Sequence, residues 1–448
     1  MAQETTGGIK GYVKDKTGGS VAGAEAELSS SALITPRKAE ADSAGYFYFQ
    51  LLPPGEYTLT VTGKGFRTYK LVGIRIETGA LPTLDIALEV GTVSETVEVT
   101  AKEEIVDVTS SKVAVAITSQ DIDTLPHGRS YQSVIGLAPG ARQEPLQSSR
   151  TDRLRQNGFQ IDGASDSENT YLVEGMDTSN VEQGGIKQNV IFEFVQEVQV
   201  KTAGTEAEYG GALGGVVNVI QKRGSNEWHG GFVAFYRGDK LDANDQCATT
   251  PQPNPANIPS GQQLACGLRY DPSTAANTDL TKGPVVDQAA NYYVQKKDQY
   301  STVEAGYNIG GPLWKDKLWL FSSYIPTIDR YTRKVNFAGP NGDDPRSFTR
   351  SYTAHNMLNR LDYQPFSKVH LYGAWQYGYS RTKGQLPTFP DSATGQANPI
   401  ATQDPTTFRP DTGNVAPSNI FNFGGDWTPN SRTVVSAKYG YFYYNTED

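Results

Sequence analysis

The chain has 448 residues, room for about two to four domains, and its 37% hydrophobic content excludes a largely disordered protein. A net charge of −9 leaves no basic stripe for phosphates and so excludes a nucleic-acid binder. No apolar run reaches about 18 residues, which excludes a transmembrane helix, whereas 46 glycines and 25 tyrosines suit the turns and aromatic girdles of β-strands in a membrane. Met1-Ala2-Gln3-Glu4 lacks the basic and apolar regions of a secretory signal and reads as a mature terminus with an added Met.

From Gly8 to Glu89 short alternating stretches are separated by turn residues. Ile9 to Val13, Val21 to Leu28, Tyr46 to Leu51 and Tyr57 to Thr62 read as strands, broken at Asp15 to Gly19, Asp42 to Gly45 and Pro53-Pro54-Gly55. This spacing predicts a small β-sandwich over 1–90. The segments Gly11-Tyr-Val-Lys-Asp15, Val21-Ala-Gly-Ala-Glu25, Asp42-Ser-Ala-Gly45-Tyr-Phe-Tyr-Phe49 and Leu52-Pro-Pro-Gly55-Glu-Tyr57 resemble the carboxypeptidase regulatory-like domain. Catalysis does not follow from that resemblance. A zinc peptidase needs a His-x-x-Glu pair and a further His, and none of His127, His229, His355 or His370 is followed by Glu three residues on. There is no Gly-x-Ser-x-Gly elbow either. We therefore expect no enzyme, no catalytic residues, no metal and no cofactor.

Residues 91–117 read as a linker. Within it Glu95, Thr96, Val97, Glu98 and Val99 form an extended, β-branched run of the kind a partner sheet grips by strand addition; the same residues also read as a last sandwich strand or a plain connection. Over 118–225 the chain turns α+β. Thr118-Ser119-Gln120-Asp121-Ile122 supplies an N-cap and first turn for a helix ending before Pro126, and Tyr131 to Leu137 is a second helix closed by Pro139-Gly140. Arg150, Arg153 and Arg155 lie together in a polar loop; they read as lumen-facing charges paired with carboxylates, or as guanidiniums that meet an anionic ligand. Further on, Glu206-Ala-Glu-Tyr209-Gly210-Gly-Ala-Leu-Gly214-Gly215-Val-Val-Asn218-Val-Ile220 combines a glycine-rich turn with a short buried strand.

These segments together resemble the plug of a TonB-dependent outer-membrane receptor. The match runs in order through Asp121-Ile-Asp-Thr-Leu-Pro126, Arg129-Ser-Tyr131, Leu137-Ala-Pro-Gly140, Ile161-Asp162-Gly163, Tyr171-Leu-Val-Glu174-Gly175-Met-Asp177, Phe194 to Val200 and Tyr209 to Asn218. The resemblance implies that Glu95 to Val99 is a TonB box, the segment through which TonB would pull the plug from the periplasm.

Residues 226–448 carry the strand arithmetic. Ser301, Val303, Ala305, Tyr307 and Ile309 form one uncharged face, as do Val369 to Tyr379, Phe421 to Trp427 and Thr433 to Tyr443 taken at odd positions. Their even positions collect Glu304, His370, Asp426 and Lys438. Ten-residue stretches apolar on one face and polar on the other are the signature of transmembrane β-strands. Seven are expected, at about 228–238, 299–310, 317–328, 349–363, 367–381, 418–428 and 431–445. Long links at 239–298, 329–348 and 382–417 alternate with short ones at 311–316, 364–366 and 429–430, the order of outer loops and periplasmic turns. Two strands fit less well. Leu318 to Phe321 is apolar on both faces and His355 falls on the lipid side, so a bulge or slip is expected there. Cys247 and Cys266 lie in the first long link, as a disulfide or as free surface thiols.

The expected architecture is therefore all-β dominated: a small sandwich, an α+β plug, and over 226–448 the first strands of an incomplete transmembrane antiparallel barrel. Seven strands cannot close a membrane barrel, because an open edge leaves backbone groups unpaired in hydrocarbon, so a longer receptor is expected. By resemblance the partners are TonB, the outer-membrane lipid and a small molecule, peptide or glycan that the sequence does not identify. The plug's lumen contacts are expected to be polar, so that it can move without breaking a dry core. The rival readings are a barrel-anchored surface adhesin and a soluble extracellular β-protein.

Overall fold

The computed structural model describes residues 5–91, 96–100, 113–144, 158–180, 184–205, 209–242, 264–270, 290–293, 298–339, 342–387, 405–430 and 433–447. Its first part is a two-sheet sandwich. The strands are β1 (Gly7–Asp15), β2 (Glu25–Ser29), β3 (Arg37–Glu40), β4 (Tyr46–Leu52), β5 (Gly55–Thr62), β6 (Thr68–Ile76), β7 (Thr83–Leu88) and β8 (Thr96–Thr100). Three of them form the sheet β4-β1-β7 and five the sheet β3-β2-β5-β6-β8. Every second residue turns inward, so Ile9 and Val13, Ala26 and Leu28, Phe47 and Phe49, Leu59 and Val61, and Ile74 and Ile76 make one dry cluster. The turn into β4 is built by Asp42, whose Oδ1 accepts the amides of Ala44 and Tyr46.

The stretch 91–117, read as a linker, contains two strands. The first, β8, pairs in parallel with β6, from Thr68 opposite Thr96 to Val72 opposite Thr100. The second, β9 (Val113–Thr118), pairs with the plug sheet. β-Branched residues in extended runs found sheet edges to join, which a local pattern does not specify.

The plug continues with α1 (Ser119–Thr124), α2 (Gln132–Ile135), β10 (Ala141–Gln143), β11 (Phe159–Ile161), β12 (Thr170–Val173), β13 (Met176–Asp177), β14 (Val195–Ala203) and β15 (Val216–Gln221). Helix α1 starts where the sequence places it: Thr118 is the N-cap, Asp121 completes the capping box, and the helix stops before Pro126. The plug sheet has the order β13-β12-β15-β14-β9, with β15 buried at all its positions in the middle.

The last part is an antiparallel sheet of β16 (His229–Gly238), β19 (Gln299–Trp314), β20 (Leu318–Tyr324), β21 (Thr327–Gly339), β22 (Gly342–Phe366), β23 (Val369–Lys383), β24 (Val415–Asn430) and β25 (Thr433–Tyr444), while β17 (Leu264–Tyr270) and β18 (Ala290–Tyr293) pair with each other inside the first long link. The sheet is open among the described residues, with β16 and β25 at its edges. Strands β20 and β21 act as one. Pairing to β19 runs from Tyr307 opposite Tyr324 to Glu304 opposite Thr327 without a shift, so Pro326 interrupts the ladder but not the register.

The expected irregularity is confined to strand ends: the register shifts between Pro312 and Trp314, opposite Trp319 and Leu318, and between Tyr363 and Phe366, and it holds from Trp319 to Tyr324 and around His355. His355 does stay on the outer face, and the Tyr324 hydroxyl lies 2.7 Å from its Nδ1. The double-faced apolarity of Leu318 to Phe321 also has a plain cause. Leu318 and Leu320 point outward, while Trp319 and Phe321 are buried on the inner side, Phe321 within the plug core. The expected long link 329–348 is a further correction: β21 and β22 run on as a paired ribbon to Gly339 opposite Gly342.

Candidate functional site: the plug seated on its wall

The hairpin between β12 and β13 presents the first element of the site. Its two central residues, Glu174 and Gly175, have φ of 53° and 77°, the left-handed pair a two-residue hairpin demands. Glycine takes that geometry freely and glutamate does not. Glu174 is nonetheless buried, where its Oε1 accepts the Gln221 amide at 2.7 Å and lies 3.0 Å from the Arg360 guanidinium of β22. Arg360 in turn grips Asp362 with two hydrogen bonds, of 2.9 and 3.2 Å. His370 approaches Asp362 at 3.2 Å and Asp426 at 3.6 Å, which carries the chain of charges across β22, β23 and β24.

A second tether has the opposite polarity. Arg129 of the plug donates to Glu304 on β19 at 2.5 Å, lies 2.9 Å from Glu193, and stacks over the Phe235 ring of β16 at 3.9 Å. A third is neutral: Gln221 donates to Gln376 at 2.7 Å, both buried. Such pairs are costly to desolvate, so what they contribute is position: breaking one leaves a buried charge without its partner.

Polar contacts are only half of the seat. The plug's apolar cluster of Val173, Val198, Val217 and Phe194 continues without a break into Phe321, Ile325, Leu358 and Ile420 of the wall. The expectation of polar lumen contacts that spare a dry core is therefore corrected to a mixed seat, polar and apolar. Ile420 and Leu358 occupy inward positions that a lumen-facing pattern assigns to polar residues.

The glycine-rich turn packs as its composition requires. A Cβ on Gly214 would sit 2.3 Å from Asn169 Oδ1, and that same oxygen accepts the Gly215 amide at 2.8 Å. Tyr209 is buried beneath it and its hydroxyl accepts from the fully buried Lys201 ammonium at 3.2 Å. Asn218 accepts the Gly175 amide, tying the turn's strand to the Glu174 hairpin. Asp177 caps the Ser179 amide, Asp162 and Gly163 form a left-handed turn, and Gly210 is exposed. Thus Glu174, Gly175 and Asn218 come together toward one end of the parallel β12–β15 pair, Gly215 lies at the other end beside Asn169, and Asp162, Asp177 and Gly210 lie apart from the wall tethers.

Other sequence-derived positions divide similarly. Thr96 to Val99 lie on β8, at the edge of the sandwich sheet, with Glu98 accepting from Lys70 at 3.0 Å. Glu95, Arg150, Arg153, Arg155, Glu206 to Glu208 and Cys247 lie outside the described residues, as does the side chain of Cys266 on β17. A cavity of about 400 Å³ opens at the other end of the plug, on the side of the long links. It is lined by Lys187, Gln188 and Asn189 of the plug and by Arg350, Tyr352, Asn356 and Asn414 of the wall side. Sequence reading missed Arg360 and Asp362 in particular; their signal was charge at inward positions of a strand whose register had been doubted.

The sandwich is docked on the same assembly. Arg75 donates to Asp121 of α1 at 2.7 Å, Asn226 donates to the Ile34 carbonyl at 2.8 Å, and Gln364 to Thr35 at 3.0 Å. Thr78, in the turn after β6, reaches plug strand β14.

Two family models match the chain: the carboxypeptidase regulatory-like domain over residues 8–89 and the TonB-dependent receptor plug domain over 106–216. Among curated proteins it is 26% identical over 306 residues to the TonB-dependent transporter Oar of Myxococcus xanthus, covering 66% of this chain and 24% of that protein. It is 27% identical over 319 residues to the ferrienterobactin receptor of Escherichia coli, covering 63% and 40%. The chain thus spans well under half the length of either relative. Among solved structures, the outer-membrane transporter YddB from Escherichia coli aligns over 73% of this chain and 38% of its own, with 14% identity and a TM-score of 0.47.

Proposed function

We propose that this chain, a TonB-dependent outer-membrane receptor of the Oar-like type by its regulatory-like and plug domains, serves active uptake of a ligand across the outer membrane, energised through TonB. Receptors and transporters of this kind are not enzymes. One observation carries the reading: a plug sheet seated by charged and apolar contacts against an antiparallel sheet whose other face is apolar. A plug held this way is a movable stopper, because the charged tethers fix where it returns and each can re-form.

Ligand would enter from the side of the long links, where the cavity between Lys187, Gln188, Arg350 and Tyr352 lies. Arg150, Arg153 and Arg155 belong to the same proposal as loop cations. On the periplasmic side the sandwich and β8 face TonB. Because β8 ends its sheet among the described residues, its outer edge can take a partner strand while its inner edge is held by β6. Glu95 to Val99 remain the proposed TonB-binding residues.

The test uses the full chain in detergent and the purified periplasmic domain of TonB. Val97→Pro removes a backbone donor from the strand and should abolish binding, whereas Val97→Thr, which keeps strand propensity, should retain it. Equal binding by both variants would exclude this segment as the TonB contact. A barrel-anchored adhesin predicts no binding by the unmodified chain.

A further inference from the structure

We propose that docking of the sandwich on the plug is proton-linked, with Glu197 as the group that takes up the proton. Glu197 sits on β14 of the plug, outside the strands read as membrane-spanning, and is fully buried. Its Oε1 accepts one hydrogen bond, from the Thr78 amide of the sandwich at 3.1 Å, and its Oε2 has no hydrogen-bond partner. Next to it Gln199 donates to the Thr78 carbonyl at 2.6 Å, so one sandwich residue is held from both sides.

Among the described residues no cation is dedicated to this carboxylate. The charged groups that face it are Arg75 and Glu77, from β6 and the turn that follows, and Arg75 is already engaged by Asp121 of α1 at 2.7 Å and by Glu77 at 3.5 Å. On the plug side its cross-strand neighbours are Thr118 of β9 and Ile220 of β15, neither of them titratable. A buried carboxylate in that position is disfavoured, and burial pushes Glu197 up to about 7; the nearby Thr78 hydroxyl and amide and the Arg75 guanidinium oppose the rise and Glu77 adds to it. Gln199 Oε1 and the Thr78 hydroxyl are buried here too without a hydrogen-bond partner among the described residues, so two acceptors share a single uncommitted donor and a proton on Glu197 supplies a second.

Undocking removes Thr78 and exposes the carboxyl to water, where its ordinary value is 4.5. The docked form therefore holds the proton more tightly. Docking is at full strength below 4.5, weakens as the pH rises from there to about 7, and is flat above. The span corresponds to a change on the order of a hundredfold in the docking equilibrium. The sandwich would thus sit firmly on the plug in acid and release it toward neutral pH, making it a proton-gated cover independent of which ligand is carried.

Hydrogen–deuterium exchange on the full chain in detergent, corrected for intrinsic exchange rates, tests this at pH 5 and pH 8. The expected result is that protection of residues 77–80 falls on the order of a hundredfold between the two in the unmodified chain. Glu197→Gln and Glu197→Met carry no titratable group and should hold protection constant across that range. Protection that is equal at both pH values in the unmodified chain overturns the proposal. So does a fall of the same size in either uncharged variant, since another group would then be responsible. Binding of TonB plays no part in this readout, so the outcome is separate from the transport reading.

Discussion

The sandwich and the plug are both built around valine- and isoleucine-rich strands, yet their interiors close in different ways. Among the described residues the sandwich core is complete in itself: Ile9, Leu28, Phe47, Leu59, Ile74 and Ile86 cluster with residues of the same domain alone. The plug core is finished by residues of the wall, Phe321, Ile325, Leu358 and Ile420, and the plug also buries Glu174, Glu197 and Lys201. A core that closes on itself makes a unit that can dock and undock whole. One that borrows its last layer and pairs its charges with a wall is at its most stable only in place.

The largest test of that contrast is Arg360→Ala. It removes the guanidinium that bridges Glu174 and Asp362 and leaves them only His370 and the more distant Arg223, a loss of about 3 kcal/mol or more, and thermal unfolding followed by circular dichroism should show the plug–barrel transition falling while the sandwich transition stays. Loss of both together would mean that the two regions are not separate units. Leu59→Ala is the converse experiment. Truncating a fully buried leucine costs about 3 kcal/mol, and here only the sandwich transition should drop; movement of the plug–barrel transition by a similar amount would dissolve the distinction. The smallest effect is expected from Thr118→Ala, which removes the cap that holds α1 and one hydroxyl near Arg75, at about 1 kcal/mol. Faster exchange confined to residues 119–124 is the expected sign, and no change there would show that the cap is idle.

Much of this was legible along the chain. Strands of the sandwich, the Thr118 cap, the buried strand after the glycine-rich turn and the outward face of Val303, Tyr307, Trp375 and Phe423 follow from alternation and turn chemistry. The seat of the plug was less legible. Arg360 and Asp362 could be read as inward charges, but nothing local tells that Arg360 meets a glutamate 186 positions earlier, in a left-handed hairpin where glutamate is an unusual choice.

Period-two patterns, caps and turns are short-range properties. The sequence by itself therefore determined the strands, their faces and the order of the domains, because each depends on residues a few positions apart. Which apolar inward residue meets the plug and which polar one meets water, whether Thr96 to Thr100 joins a sheet or hangs free, and where Glu197 finds itself without a cation depend on pairings across tens to hundreds of positions. Only the tertiary structure decided those, because burial and charge pairing are set by whatever the folded chain brings into contact.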